Sequence, residues 1–329
     1  MKVTVVGTTA WGTALGLMLA RRGMDVSLWA RTKEEAQELD SARENAVRLP
    51  GARFPDSLSV TSSLRDAMDG ASLVILAVPA QQMRHNAWQV RAHIGEQVPV
   101  LSVAKGLERE TTKRMTEVIV EELGQRARDR VCAISGPNFS TEIAQGLPAA
   151  TVIAAHNGAI VGAVRDILHS PVFRVEISSD LVGVEMAGAL KNVIALGAGM
   201  MDAINYGDNA KAAFATRGLA EITRLSVAAG ASPITLNGLA GVGDLVATCS
   251  SRLSRNRTFG EELAKGRPIA EIRRTMTSVV EGIDTTVAAL KLAQNLGVEM
   301  PIAEKLHQVL FEGHNLVKAM DELVGYDGV

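Results

Sequence analysis

The first half of the chain alternates short β-branched runs with stretches of helical periodicity. VTVVG (3–7) is a continuous apolar run of strand length, the pattern of a strand buried on both faces. AWGTALGLMLARRG (10–23) has helical spacing, with Gly23 as its C-terminal stop. A second strand, DVSLWAR (25–31), leads to TKEEAQELDSARENA (32–46), a helix with Thr32 as N-cap and Glu34 and Glu35 in its first turn. LSVTS (58–62), SLVILAVP (72–79), VPVLSVA (98–104), RVCAISGP (130–137) and AATVIAA (149–155) read as further strands, with helical stretches between most of them. This rhythm predicts a doubly wound parallel sheet.

The pattern changes after Ser178. DLVGVEMAGALKNVIALGAGMMDAINYG (180–207) and NAKAAFATRGLAEITRLSVAAG (209–230) read as long helices. Helical spacing continues at 258–266, 281–296, 301–312 and 314–324, with no clear strand past residue 178. The expected architecture is therefore an α/β domain over 1–180, followed by an all-helical domain over 181–329 that carries substrate and catalysis.

Composition narrows the function classes. Aromatic residues are only 3% of the 329 positions, so the core must be aliphatic and rich in alanine. The net charge is −2, with no basic stripe of the kind that nucleic-acid binders carry. Cys132 and Cys249 lack metal-ligand spacing, which argues against zinc and fits a reducing compartment. MKVTVVG enters a strand directly, without a signal-peptide layout. The uncharged stretch 225–243 is broken by Pro233, Asn237 and glycines, which argues against a membrane span. A cytoplasmic protein is expected.

The sharpest motif is VVGTTAWGTALG (5–16). Gly7 and Gly12 stand at the outer positions of G-x-G-x-x-G, between a strand and a helix, which is the context a dinucleotide loop requires. Gly7 serves the tight turn, and Gly12 lets the helix approach the sheet. Thr9 replaces the middle glycine, so either the loop shifts or the hydroxyl itself bonds a phosphate. Ala10 and Trp11 open the helix whose N–H groups would face the pyrophosphate. The second strand ends in Arg31, nineteen residues after Gly12, where NAD enzymes usually place an acid. A guanidinium suits a phosphate, so NADP is favoured, with NAD as the alternative.

Three later stretches carry polar groups in small or apolar surroundings. Lys105, in SVAKGLE (102–108), follows a strand's carboxyl end. Lys191, in EMAGALKNVIALGAG (185–199), must face a cavity, a carboxylate or solvent; Glu185 and Glu221 are the bland candidates for an ion pair. Asp244 follows a glycine-rich turn and precedes Ser254, Arg255, Asn256 and Arg257. Together these fit hydride transfer to a ketone. A lysine ammonium supplies the proton, Ser-Arg-Asn at a helix start grips a substrate phosphate, and Asp244 orients Lys191 or accepts from a substrate hydroxyl. In the reverse direction the lysine must be neutral, which requires a pKa lowered by burial or by Lys105.

These stretches, with WGTALG, ISGPNF, NAKAAFATRGLAE, GLAGVGDLVATC and SRNRTFG, resemble the bacterial NAD(P)-dependent glycerol-3-phosphate dehydrogenases, in the family's order and over nearly the whole chain. The resemblance implies a Rossmann-type first domain and reversible reduction of dihydroxyacetone phosphate to sn-glycerol 3-phosphate, feeding phospholipid synthesis. It implies that Lys191 exchanges the proton and that Lys105 meets both cofactor and substrate. Gly136 (through its backbone), Asp244, Ser254, Arg255 and Asn256 would bind substrate. Trp11, Arg31 and Arg255 would line the dinucleotide, and Val279 and Glu281 would close over it. Three departures stand out: Thr9, Asn138 at a substrate position after SGP, and Ser140 beside the cofactor. Asn138 keeps open a paralogue for another small phosphorylated or phosphonylated alcohol or ketone. A 2-hydroxyacid dehydrogenase of the same plan would not need the phosphate grip, and a non-catalytic nucleotide sensor would not need Lys191. A homodimer is expected.

Overall fold

The computed structural model describes residues 1–276 and 278–325. It divides into two compact units. The first comprises 1–104, 115–134 and 138–181; the second comprises 105–114, 135–137 and 182–329. Two short stretches are thus grouped with the helical unit, where the sequence pattern suggests one break at 180/181.

The first unit is built on an eight-stranded sheet: β1 (Lys2–Val6), β2 (Asp25–Trp29), β3 (Leu58–Thr61), β4 (Ala71–Leu76), β5 (Val100–Ser102), β6 (Val131–Ser135), β7 (Ala149–Ala155) and β8 (Phe173–Ser178). The order is β3-β2-β1-β4-β5-β6-β7-β8. β1 pairs in parallel with both β2 and β4, so the winding direction reverses at β1, the topological position where such sheets take ligands. β1 and β4 are apolar nearly throughout because helices cover both faces, and apolar clusters fill each side. The helices are α1 (Ala10–Arg21), α2 (Lys33–Ala42), α3 (Leu64–Met68), α4 (Met83–Val90), α5 (Met115–Leu123), α6 (Ser140–Ala144) and α7 (Gly158–Leu168). Gly23 has φ +82°, as a helix stop requires, and Thr32 caps α2 by accepting from the Glu35 N–H. The pattern missed β8. Its sequence FRVEIS alternates, but Arg174 and Glu176 face solvent at the sheet edge, and so short a run reads as a surface loop.

The second unit is helical: α8 (Leu181–Ala203), α9 (Gly207–Ala228), α10 (Pro233–Leu236), α11 (Asp244–Ser250), α12 (Arg255–Ala264), α13 (Ile269–Thr275), α14 (Glu281–Leu296), α15 (Pro301–Phe311) and α16 (Leu316–Val324). α8 is the axis of its core. By length and composition it passes as a membrane-crossing helix, yet 94% of its most apolar stretch is buried. The other helices approach it closely through glycines. A Cβ at Gly260 of α12 would lie 1.9 Å from the Leu196 carbonyl oxygen. Glu221, buried on α9, accepts from the Ile302 and Ala303 N–H groups at 2.8 and 2.9 Å and so caps α15.

Candidate active site

In the first unit the glycine loop has the shape a pyrophosphate needs. Gly7 sits at φ +104°, and a Cβ there would lie 2.8 Å from both the Ala77 carbonyl oxygen and a Val78 methyl. A Cβ at Gly12 would lie 2.6 Å from the Gly7 carbonyl oxygen. The first turn of α1 carries no acid, so its N–H groups favour an anion. Thr9 is the N-cap of α1. Its hydroxyl accepts from the Gly12 N–H at 3.1 Å and donates to the Ala77 carbonyl at 2.8 Å. That hydroxyl ties the loop to the end of β4, so its proton is not directed at a phosphate. Ala10 and Trp11 open α1, with the Trp11 ring 6.5 Å from that of Phe173. Arg31 is exposed just past β2. Asn138 donates to the Ala150 carbonyl at 3.1 Å, and Ser140 opens α6.

In the second unit, one buried carboxylate gathers two lysines. Leu239–Gly243 winds as a π-helical turn, a form often found at functional sites, and delivers Asp244 as the first residue of α11. Lys191 of α8 donates to Asp244 Oδ1 and to Thr248 Oγ1. Lys105 donates to Asp244 Oδ2 at 2.7 Å and to the Gly136 carbonyl at 2.7 Å. Lys191 and Asp244 are 5% and 1% exposed, so the chemistry here is shielded from bulk water. Burial pulls the Lys191 ammonium down to about 8; Lys105 acts in the same direction and the Asp244 carboxylate opposes both. The ion pairs that would have made Lys191 merely structural are otherwise engaged. Glu185 pairs with Arg114 at 2.7 Å, and Glu221 caps α15.

The surrounding residues fix this centre. Asn192 donates to the Lys105 carbonyl at 3.1 Å and accepts from Asn256 at 2.8 Å, while the Asn256 oxygen accepts from the Gly282 N–H at 2.9 Å. Asn256 thereby braces three segments. Gly188 permits a close approach: a Cβ there would lie 2.3 Å from Ser135 Oγ, which itself sits 3.5 Å from Asp244 Oδ2. Ser254 caps α12 by accepting from the Arg257 N–H, and Arg255 is exposed at that helix's first residue. Arg257 turns inward to Asp202, a structural pair. Val279 is exposed, and Glu281 begins α14. Cys249 is buried beside the centre, and burial pushes its thiol up to about 12, so it stays protonated.

Thr248, Asn192 and Ser135 were not singled out from sequence. Thr248 was within reach: four residues beyond Asp244, it shares a helix face with it once 244–250 is recognised as helical.

A dinucleotide loop on a doubly wound sheet, with a buried lysine–carboxylate centre in a helical unit, is the equipment of a pyridine-nucleotide dehydrogenase. Residues 2–161 match the N-terminal family of NAD-dependent glycerol-3-phosphate dehydrogenase, and residues 180–321 match its C-terminal family. The chain belongs to the NAD-dependent glycerol-3-phosphate dehydrogenase family. A glycerol-3-phosphate dehydrogenase (NAD(P)+) from Dehalococcoides mccartyi is 46% identical over 311 residues, covering 94% of this chain and 87% of the relative. The enzyme of that name from Chlorobium limicola is 43% identical over 324 residues, covering 98% and 97%. The crystal structure of glycerol-3-phosphate dehydrogenase from Coxiella burnetii superposes with a TM-score of 0.93 at 34% identity, over 98% of both chains.

Proposed function

We propose that the chain reduces dihydroxyacetone phosphate to sn-glycerol 3-phosphate reversibly, with Lys191 as the proton donor, and that it prefers NADP. The bound dinucleotide supplies the hydride. As negative charge grows on the ketone oxygen, the Lys191 ammonium stabilises it and then transfers its proton. Asp244 holds Lys191 on one oxygen and Lys105 on the other, which keeps two cations in register. Arg255 and the start of α12 are suited to the substrate phosphate, and Arg31 to a 2′-phosphate. The reading also places the enzyme in the cytoplasm, as a homodimer, supplying the backbone of phospholipids. Exposed Val227, Ile234 and Val246 support self-association. The observation that carries the mechanism is the burial of Lys191 against Asp244 beside a second ammonium.

The pH dependence follows with opposite signs in the two directions. Reduction needs the Lys191 ammonium, so its kcat/KM is expected to fall above about 8; oxidation needs the neutral amine and is expected to rise through the same value. Lys105→Met removes a cation that holds the Lys191 pKa down, so the oxidation limb should move to higher pH. Initial rates across pH in both directions check this, and a limb that stays in place would assign the titration to another group.

Substrate identity is tested with a panel. At saturating coenzyme, Arg255→Ala is expected to raise KM for dihydroxyacetone phosphate about 10- to 100-fold, the effect of losing a charge-assisted phosphate contact, and to leave turnover of the unphosphorylated ketone unchanged. Better turnover of a related phosphorylated or phosphonylated ketone would move the enzyme to the paralogue reading that Asn138 keeps open, and indifference to Arg255 would favour the 2-hydroxyacid reading, which needs no phosphate grip.

A further inference from the structure

We propose that Glu35, latched onto the glycine loop by Thr8, is a second determinant of coenzyme choice and makes the site accept NADH beside NADPH. The end of β2 is bonded to the loop, with the Gly7 N–H donating to the Trp29 carbonyl at 3.1 Å. Arg31 follows two residues later. Within the first turn of α2, Glu35 turns back toward the loop and accepts from the Thr8 hydroxyl at 2.5 Å. Thr8 cannot readily give way. It is buried, and its carbonyl accepts from Asn45 at 2.9 Å, while the same Asn45 amide donates to Thr13 Oγ1 at 2.9 Å. A carboxylate is therefore fixed beside the residue that separates Gly7 from Thr9.

Sheets that bind NAD place an acid about 20 residues past their glycines to accept from the ribose 2′-hydroxyl, whereas an arginine there accommodates a 2′-phosphate. This chain brings one of each to the corner where β2 meets the loop. A carboxylate accepts from a hydroxyl and repels a phosphate dianion; a guanidinium does the reverse. With both present, neither coenzyme is excluded. The inference rests on the reading that the adenosine end of the dinucleotide lies at this corner.

The test is direct binding to the purified full-length chain without substrate, followed by the fluorescence of NADH or NADPH. Glu35→Gln is expected to tighten NADPH by about tenfold and to weaken NADH severalfold. Thr8→Val keeps the charge but releases it, and should move the affinity ratio the same way by less. Arg31→Asp should weaken NADPH and spare NADH. If Glu35→Gln leaves the ratio unchanged, or loses both coenzymes equally, Glu35 has no role in selection and the proposal falls. If Arg31→Asp alone leaves the ratio unchanged, the assignment of Arg31 fails while that of Glu35 stands.

Discussion

Lys191→Ala is expected to lower kcat for reduction by about 10⁴-fold while NADPH affinity stays within about twofold. The size follows from two losses in one substitution. On the proposed mechanism the proton donor disappears, and so does the cation that would meet the developing alkoxide. Coenzyme affinity is spared because the glycine loop is held by its own partners, the Thr9 hydroxyl on Ala77 and Asn45 on Thr8. Lys191→Met makes a stricter version of the same test. Burial disfavours the ammonium, as its lowered pKa shows; methionine restores the volume without the charge, and Asp244 keeps Lys105 as its counter-ion at 2.7 Å. The methionine protein should therefore be inactive yet melt at or above the temperature of the parent, the usual exchange between stability and function. Steady-state rates at 340 nm, coenzyme titration and thermal melts decide the matter. Activity above about one part in a hundred would show that the proton comes from elsewhere.

Gly260→Ala should be among the most damaging single-methyl changes in the helical unit. The added carbon would lie 1.9 Å from the Leu196 carbonyl oxygen and 3.1 Å from the Met200 nitrogen, both backbone atoms of α8 that no rotamer change can remove. α12 must then separate from α8, and overpacking of this kind costs roughly 3 kcal/mol or more. For a protein of this size that corresponds to a fall of roughly 6–12 °C in the melting temperature. Activity should fall as well, because α12 carries Arg255 at its start and Asn256 in the brace on Asn192. Gly162→Ala supplies the contrast. Gly162 lies inside α7, with nothing within 4 Å of the added carbon, and the substitution should stabilise by about 0.5–1 kcal/mol through helix propensity. Equal melting shifts in the two variants would refute the close-approach reading of Gly260.

Periodicity exposed most of this architecture because the buried strands and long helices carry their patterns over many residues. β7 at 149–155 and α14 at 281–296 were legible to the residue. The elements that escaped are short or mixed. β8 alternates over six positions with charges on its exposed side, and α11 and α13 are seven residues each. The centre was legible as Lys105, Lys191 and Asp244 because ionisable groups amid alanine, leucine and glycine need a reason to be there. Its supports were harder to see. Asn256 and Arg257 share one short motif with Arg255, yet the first bonds Asn192 and Gly282 and the second pairs with Asp202. Spacing along a helix gives the face of a residue but not its partner from a distant segment.

The grouping of 105–114 and 135–137 with the helical unit bears on how this enzyme can be dissected. A fragment beginning at residue 182 would lack Leu107, which is fully buried in the helical core, along with Arg114, the counter-ion of Glu185, and Lys105, one of the two cations on Asp244. It would translate as a nearly complete helical bundle with a hollow in its interior and without the Arg114 guanidinium that pairs with the buried Glu185. A peptide spanning 105–114, added in trans, is the natural complement to such a fragment.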